Sequence, residues 1–147
     1  MTEFWATPVV GSTFTATLVE NLSRAHIAQY AGAAGDFNLV HVDESFAVGQ
    51  AGRPSVIAHG MFTMGLTASF VTSLVGHGTL ERFGGCFLAP VHPGDTVTCT
   101  VTISEVGSAA DGTQVVLAVR TASVAGLPVF EGSAVAHRPT TSGTTAH

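Results

Sequence analysis

Alternation of apolar and polar positions sets in near the start of the chain. The stretch STFTATLVE places threonines between apolar residues, which predicts a first strand near residues 12–20. The period then lengthens. Ser23 is placed to cap a helix from Arg24 to about Ala34, with Ile27, Tyr30, Ala31 and Ala34 on one face, and Gly35 is placed to end it. A short helical turn is expected after Asp43, through Ser45 to Val48, and GQAGRP reads as a loop. From Gly60 to Val75 a second helix is apolar on nearly every side, as a helix buried in the middle of a fold would be.

Four strands are expected after it: Leu80 to Leu88, Thr96 to Val106, Gln114 to Val124 and Pro128 to His137. HPGD, ADGT and AGLP supply the turns between them. Strands that arrive in a run after the helices point to an α+β fold, an antiparallel sheet of about five strands curled around the long apolar central helix. The reading gives a single domain over residues 1–138, with 139–147 a disordered tail. One sheet edge and one helix flank are left to be covered.

Composition sharpens this picture. Hydrophobic residues make up 46% of the 147 and charged residues 10%, against about 25% charged in an average domain. So few charges cannot cover a lone chain, and a two-fold dimer is expected. The net charge is -5, and the basic residues are all arginines, placed singly: Arg24, Arg53, Arg82, Arg120 and Arg138. Neither a nucleic-acid stripe nor a polybasic membrane patch is present in that pattern. The apolar run from Met61 to Val75 is shorter than a membrane span and holds threonines and serines. MTEFWATPVVG lacks a basic start and a continuous apolar core, so no secretory leader and a cytoplasmic location are expected. Cys86 and Cys99 read as two reduced thiols in the core.

The scarce charges gather in AGAAGDFNLVHVDE, residues 31–44. On one continuous helix Asp36 and His41 would point about 140° apart. They converge only if the chain leaves the helix between them, and Gly35 and Asn38 both tolerate the geometry that this needs. Asp36 also stands at the negative end of the preceding helix dipole, a costly place for a carboxylate. An aspartate so placed beside a histidine is a candidate acid–base pair. Asp followed by Asn equally suits a turn closed by side chains, and both readings stand. His41, Asp43 and Glu44 are candidate metal ligands, but their spacing matches no closed zinc pattern, and no metal is expected.

A second stretch, IAHGMFTMG, begins the apolar helix at or just after Gly60. Backbone N–H groups at a helix start lack intrahelical partners, and a glycine there lets a carbonyl oxygen approach, as in an oxyanion hole. His59 reads as a packed or capping residue, and Met61, Phe62 and Met64 as core.

YAGAAGDFNLVHVDESFA followed by IAHGMFTMG resembles the two-part signature of the MaoC-like hot-dog dehydratases, also called R-specific enoyl-CoA hydratases or hydratase 2. That pattern runs aromatic, small residues, G-D-x-N-P-aliphatic-H, then A-H-G-M. The order of elements from about Phe4 to Arg138 is similar too, especially to mycobacterial-type 3-hydroxyacyl-thioester dehydratase subunits. The resemblance implies a hot-dog fold and a dimer whose two sheets run together. It also implies hydration of a trans-2-enoyl thioester to the (R)-3-hydroxyacyl thioester, and the reverse. Asp36 and His41 would then hold the water, His41 at the hydroxyl and Asp36 at the α-carbon. Asn38 would steady the loop or the water, and the Gly60 N–H would stabilise the enolate-like oxygen. Two positions depart from the pattern: Leu39 replaces the proline, and Ala34 stands where serine is frequent. Both put acyl-chain preference in doubt rather than the pair itself.

Coenzyme A or acyl carrier protein is the implied handle of the substrate, without a cofactor; Arg53 and Arg82 are conceivable phosphate contacts, but each reads rather as an ordinary surface arginine. The partner is a second copy or a second hot-dog subunit. Two rival readings remain, a subunit that only binds the acyl tail and a hot-dog thioesterase.

Overall fold

The computed structural model describes residues 3–109 and 111–140 of the chain. After a 3-10 turn at Glu3–Trp5, strand β1 (Thr13–Val19) leads to helix α1 (Arg24–Ala34) and two short helices, α2 (Leu39–Val42) and α3 (Glu44–Gly49). Helix α4 (Gly60–Val75) follows, then strands β2 (Leu80–Phe87), β3 (Val97–Ala109), β4 (Gly112–Ala122) and β5 (Pro128–Pro139). The strands form one antiparallel sheet in the order β1-β3-β4-β5-β2. This is the α+β arrangement expected from the sequence.

Alternate residues of the central strands face the core, because successive side chains point to opposite faces of a sheet. Val101 pairs with Val119 and Ile103 with Leu117, and all four are buried. Bulges in β3 near Ser104 and in β2 near Glu81 break the register, and such insertions add twist to a sheet. Helix α4 lies against the sheet through Thr63, Thr67, Val71 and Val75. At its far end the Trp5 indole N–H donates to the Val75 carbonyl at 2.6 Å. A second buried cluster, including Leu22, Ile27, Ala47, Val56 and Val129, packs α1 and α3 onto the other end of the sheet. The N-terminus of α4 opens at this end.

Several expectations are corrected. Helix α4 is buried along one face rather than all round: Met61 is 57% exposed, and Gly65, Ser69 and Ser73 face outward. Its core face carries Thr63 and Thr67, and the Thr67 hydroxyl is satisfied there: its Oγ1 donates to the Thr63 carbonyl and lies 2.8 Å from the Thr121 Oγ1. Cys99 is buried, whereas Cys86, on an edge strand, is exposed and not a core thiol. Ala34 is exposed as well. Helix α2 was not expected. Pro139 belongs to β5 rather than to a tail, and the Thr140 N–H donates to the Asp111 carbonyl. The remainder of the expected tail, residues 141–147, lies outside the described residues, as does Ala110 of the ADGT turn. No helix among the described residues is long and apolar enough to cross a membrane.

Candidate active site

The site is built where the chain leaves α1. Ser23 caps that helix, its side chain accepting from the His26 N–H. At the other end Gly35 takes φ 68°, a left-handed conformation open to glycine without penalty. The N–H groups of Gly35 and Asp36 both donate to the Ala31 carbonyl, closing the helix end. Two side chains then turn the backbone in succession. The Asp36 Oδ1 accepts from the Asn38 N–H, and the Asn38 Oδ1 accepts from the Val40 N–H, each at 3.2 Å. The second bond caps α2, and α2 carries His41. Asn38 thus holds the loop, and Asp36 closes a turn with one oxygen while the other stays free of it.

Residues 56–59 return alongside. The Ile57 N–H donates to the Val40 carbonyl, and the Ala58 N–H to the Val91 carbonyl at 2.8 Å. The Ile57 carbonyl lies 2.8 Å from the His41 Nδ1, so Nδ1 is the donor, and in the neutral ring the lone pair is on Nε2. Glu44 fixes the same segment: its Oε2 accepts from Arg24 at 2.8 Å and from the Val56 N–H at 3.0 Å. The Arg24 hydrogen bond, helped by the Val56 N–H, holds this carboxyl below the usual glutamate range.

His59 then precedes α4. It is buried and makes no side-chain cap. Its ring stacks on His41 with centroids 3.8 Å apart and 26° between planes. Its Nε2 lies 2.9 Å from the Asp36 carbonyl and 4.0 Å from the Asp36 Oδ2. The packed reading of His59 therefore holds, with a partner set that the sequence did not reveal. Among the described residues its Nδ1 is buried without a hydrogen-bond partner.

Two cavities meet here. One, of about 460 Å³, is lined by Tyr30, Asp36, His41, His59, Gly60 and Phe87. The other, of about 400 Å³, shares His41, Gly60 and Phe87 and is also lined by Arg53, Ile57 and Leu88. Arg82 lies elsewhere, on β2. Gly60 is the first residue of the uncapped α4, so its N–H is one of the unpaired donors of a helix start. A Cβ on Gly60 would come within 3.2 Å of the Phe87 ring. Asp36, His41 and Gly60 thus converge on one wall. Asn38 supports it from behind.

Asp36, His41 and His59 each offer a donor atom within 4.8 Å of the others. Stacked rings direct their in-plane lone pairs side by side, not toward one point about 2 Å from each nitrogen. The trio is therefore poorly arranged for a metal. Asp43 and Glu44, the other ligands considered, cap α3 and bond Arg24 respectively. What the arrangement offers is an imidazole nitrogen, a carboxyl group and a helix-start N–H around a cavity, a set suited to moving protons beside a polarised carbonyl.

A family model described as MaoC like domain matches residues 6–125. The (R)-specific enoyl-CoA hydratase of Rhodospirillum rubrum is 35% identical over 127 residues, covering 85% of each chain. The 3-hydroxyacyl-thioester dehydratase Y of Mycobacterium tuberculosis is 33% identical over 85 residues, 56% of this chain but 29% of that one. Among solved structures, the unliganded R-hydratase PhaJ1 from Pseudomonas aeruginosa matches with a TM-score of 0.78 at 26% identity, covering 91% of this chain and 84% of that one.

Proposed function

The chain belongs to the MaoC-like domain family, and from that premise we propose that it hydrates trans-2-enoyl thioesters reversibly to (R)-3-hydroxyacyl thioesters. The observation that carries the reading is the meeting of Asp36, His41 and the uncapped start of α4 at one cavity. With Nδ1–H donated to the Ile57 carbonyl, the His41 Nε2 takes a proton from water as the water oxygen bonds to C3. The double-bond electrons move toward the thioester oxygen, where the Gly60 N–H meets the developing charge. Asp36, entering as the acid, delivers its proton to C2, and transfer from His41 back to Asp36 resets the pair. Dehydration runs the same steps backward. Acyl-CoA or acyl carrier protein thioesters are the substrates, Arg53 is among the residues lining the second cavity, and the working unit is a cytoplasmic homodimer without a cofactor.

The test is loss of the conjugated enoyl absorbance of a short trans-2-enoyl-CoA, with free thiol and product handedness followed in parallel. Formation of the R product, reduced about 10²-fold or more in Asp36→Asn and in His41→Ala, is expected. Release of free thiol with the double bond intact would replace this reading with a thioesterase.

A further inference from the structure

A residue that only fills space needs no nitrogen, yet His59 buries one that has no partner among the described residues. An apolar ring would occupy the same volume without stranding a lone pair. The opposite nitrogen supplies a reason for the residue type. The Nε2–H donates to the main-chain carbonyl of Asp36 at 2.9 Å, while the ring lies face to face with His41. Tyr30 packs against the same ring, with centroids 5.0 Å apart. The next residue in the chain is Gly60. One buried side chain therefore touches both members of the proposed acid–base pair and is covalently joined to the oxyanion donor.

We infer that His59 is a positioning residue of the hydratase reaction, an inference that rests on the reading above. Its Nε2–H fixes the Asp36 backbone, and its ring fixes the plane of His41. Carboxyl, imidazole and Gly60 N–H then keep one spacing across the substrate. His59 carries no proton between them, because its N–H faces a carbonyl and its Nδ1 is closed off. Spacing of this kind matters, since a displacement of about 1 Å in reacting groups can cost about 10²-fold in rate.

Two variants separate positioning from packing. His59→Phe keeps a flat ring against His41 and deletes the donor to Asp36. His59→Gln restores an N–H near the place of Nε2 and deletes the ring. Each is assayed with a short trans-2-enoyl-CoA, and backbone amide exchange is measured by NMR without substrate. In His59→Phe, kcat is expected to fall about 10- to 10²-fold with KM within about threefold. The Asn38 amide, held by the Asp36 Oδ1, and the Val40 amide, held by the Asn38 Oδ1, should exchange about tenfold faster. His59→Gln should recover part of kcat and slow those amides again. Unchanged kcat and unchanged exchange in His59→Phe would overturn the inference. Equal losses in both variants that follow a fall in Tm would overturn it too, leaving packing as the only role. If the unaltered protein fails to hydrate the substrate, the reaction reading falls by itself, and amide exchange alone decides whether His59 holds the loop.

Discussion

At Gly60 the absent side chain matters for the cavity rather than for the fold. The nearest atoms that a Cβ there would meet belong to the Phe87 ring, at 3.2–3.3 Å, and Phe87, 49% exposed, is the side chain that would have to swing aside. That swing has somewhere to go, namely the place where the two cavities join. Gly60→Ala should therefore fold with nearly unchanged Tm and lose about tenfold in kcat/KM, roughly 1.4 kcal/mol. Shortening the ring in the same chain, as Gly60→Ala with Phe87→Leu, should return most of the loss. Steady-state kinetics on the three proteins decide it: a double variant as poor as Gly60→Ala means that the N–H itself has moved. Asn38 makes a different case, because its side chain caps α2 rather than facing the cavities. Loss of such a cap costs about 1 kcal/mol. Asn38→Ala should lower both Tm and kcat by letting His41 drift, with little change in KM.

Between elements, Glu44 ties α1, α3 and the segment leading to His59 together. Its carboxyl is held below the usual range by the Arg24 hydrogen bond first and the Val56 N–H second. A carboxyl lowered in the folded state adds stability above its unfolded pKa, near 4.3. That stability is lost as pH falls through the lower folded value. Glu44→Gln should thus lower Tm at neutral pH and flatten the acid side of a Tm-against-pH curve; an unaltered acid limb would place the acid sensitivity elsewhere. These links were hidden in the sequence because they depend on segments far apart in the chain. Local signals read well: Ser23 and Gly35 bracket α1, and α4 begins at Gly60 as its glycine indicated. Asp36 and His41 stood out by residue type, but their convergence needs α2, which has four residues, too few for any period to show. His59 looked like packing, since no local pattern tells a buried imidazole which carbonyl it will meet. Which face of α4 turns inward was not legible either, since Thr67 faces the core only because a backbone carbonyl and the Thr121 hydroxyl across the sheet meet its own hydroxyl.

For the whole molecule, the two sheet edges are unequal. On β1 the exposed residues are Thr13, Thr15 and Thr17, with the Thr15 hydroxyl 3.1 Å from that of Thr100. On β2 they include Cys86 and Phe87, with Leu88 following and Met61 of α4 also exposed. An open edge with apolar side chains invites another chain, and a second copy can meet it about a two-fold axis. The thiols report on this directly. Burial pushes the Cys99 thiol up, so it stays protonated and unreactive in the folded chain. Cys86 is the thiol that a reagent can reach. Titration with an aromatic disulfide should consume one thiol per chain under native conditions and the second only after unfolding. If β2 is the joined edge, the Cys86 rate rises as the protein is diluted, in step with a fall in light-scattering mass from two chains toward one. A mass of two chains with a Cys86 rate independent of concentration would move the interface off β2, and a mass of one chain at every concentration would dismiss the dimer.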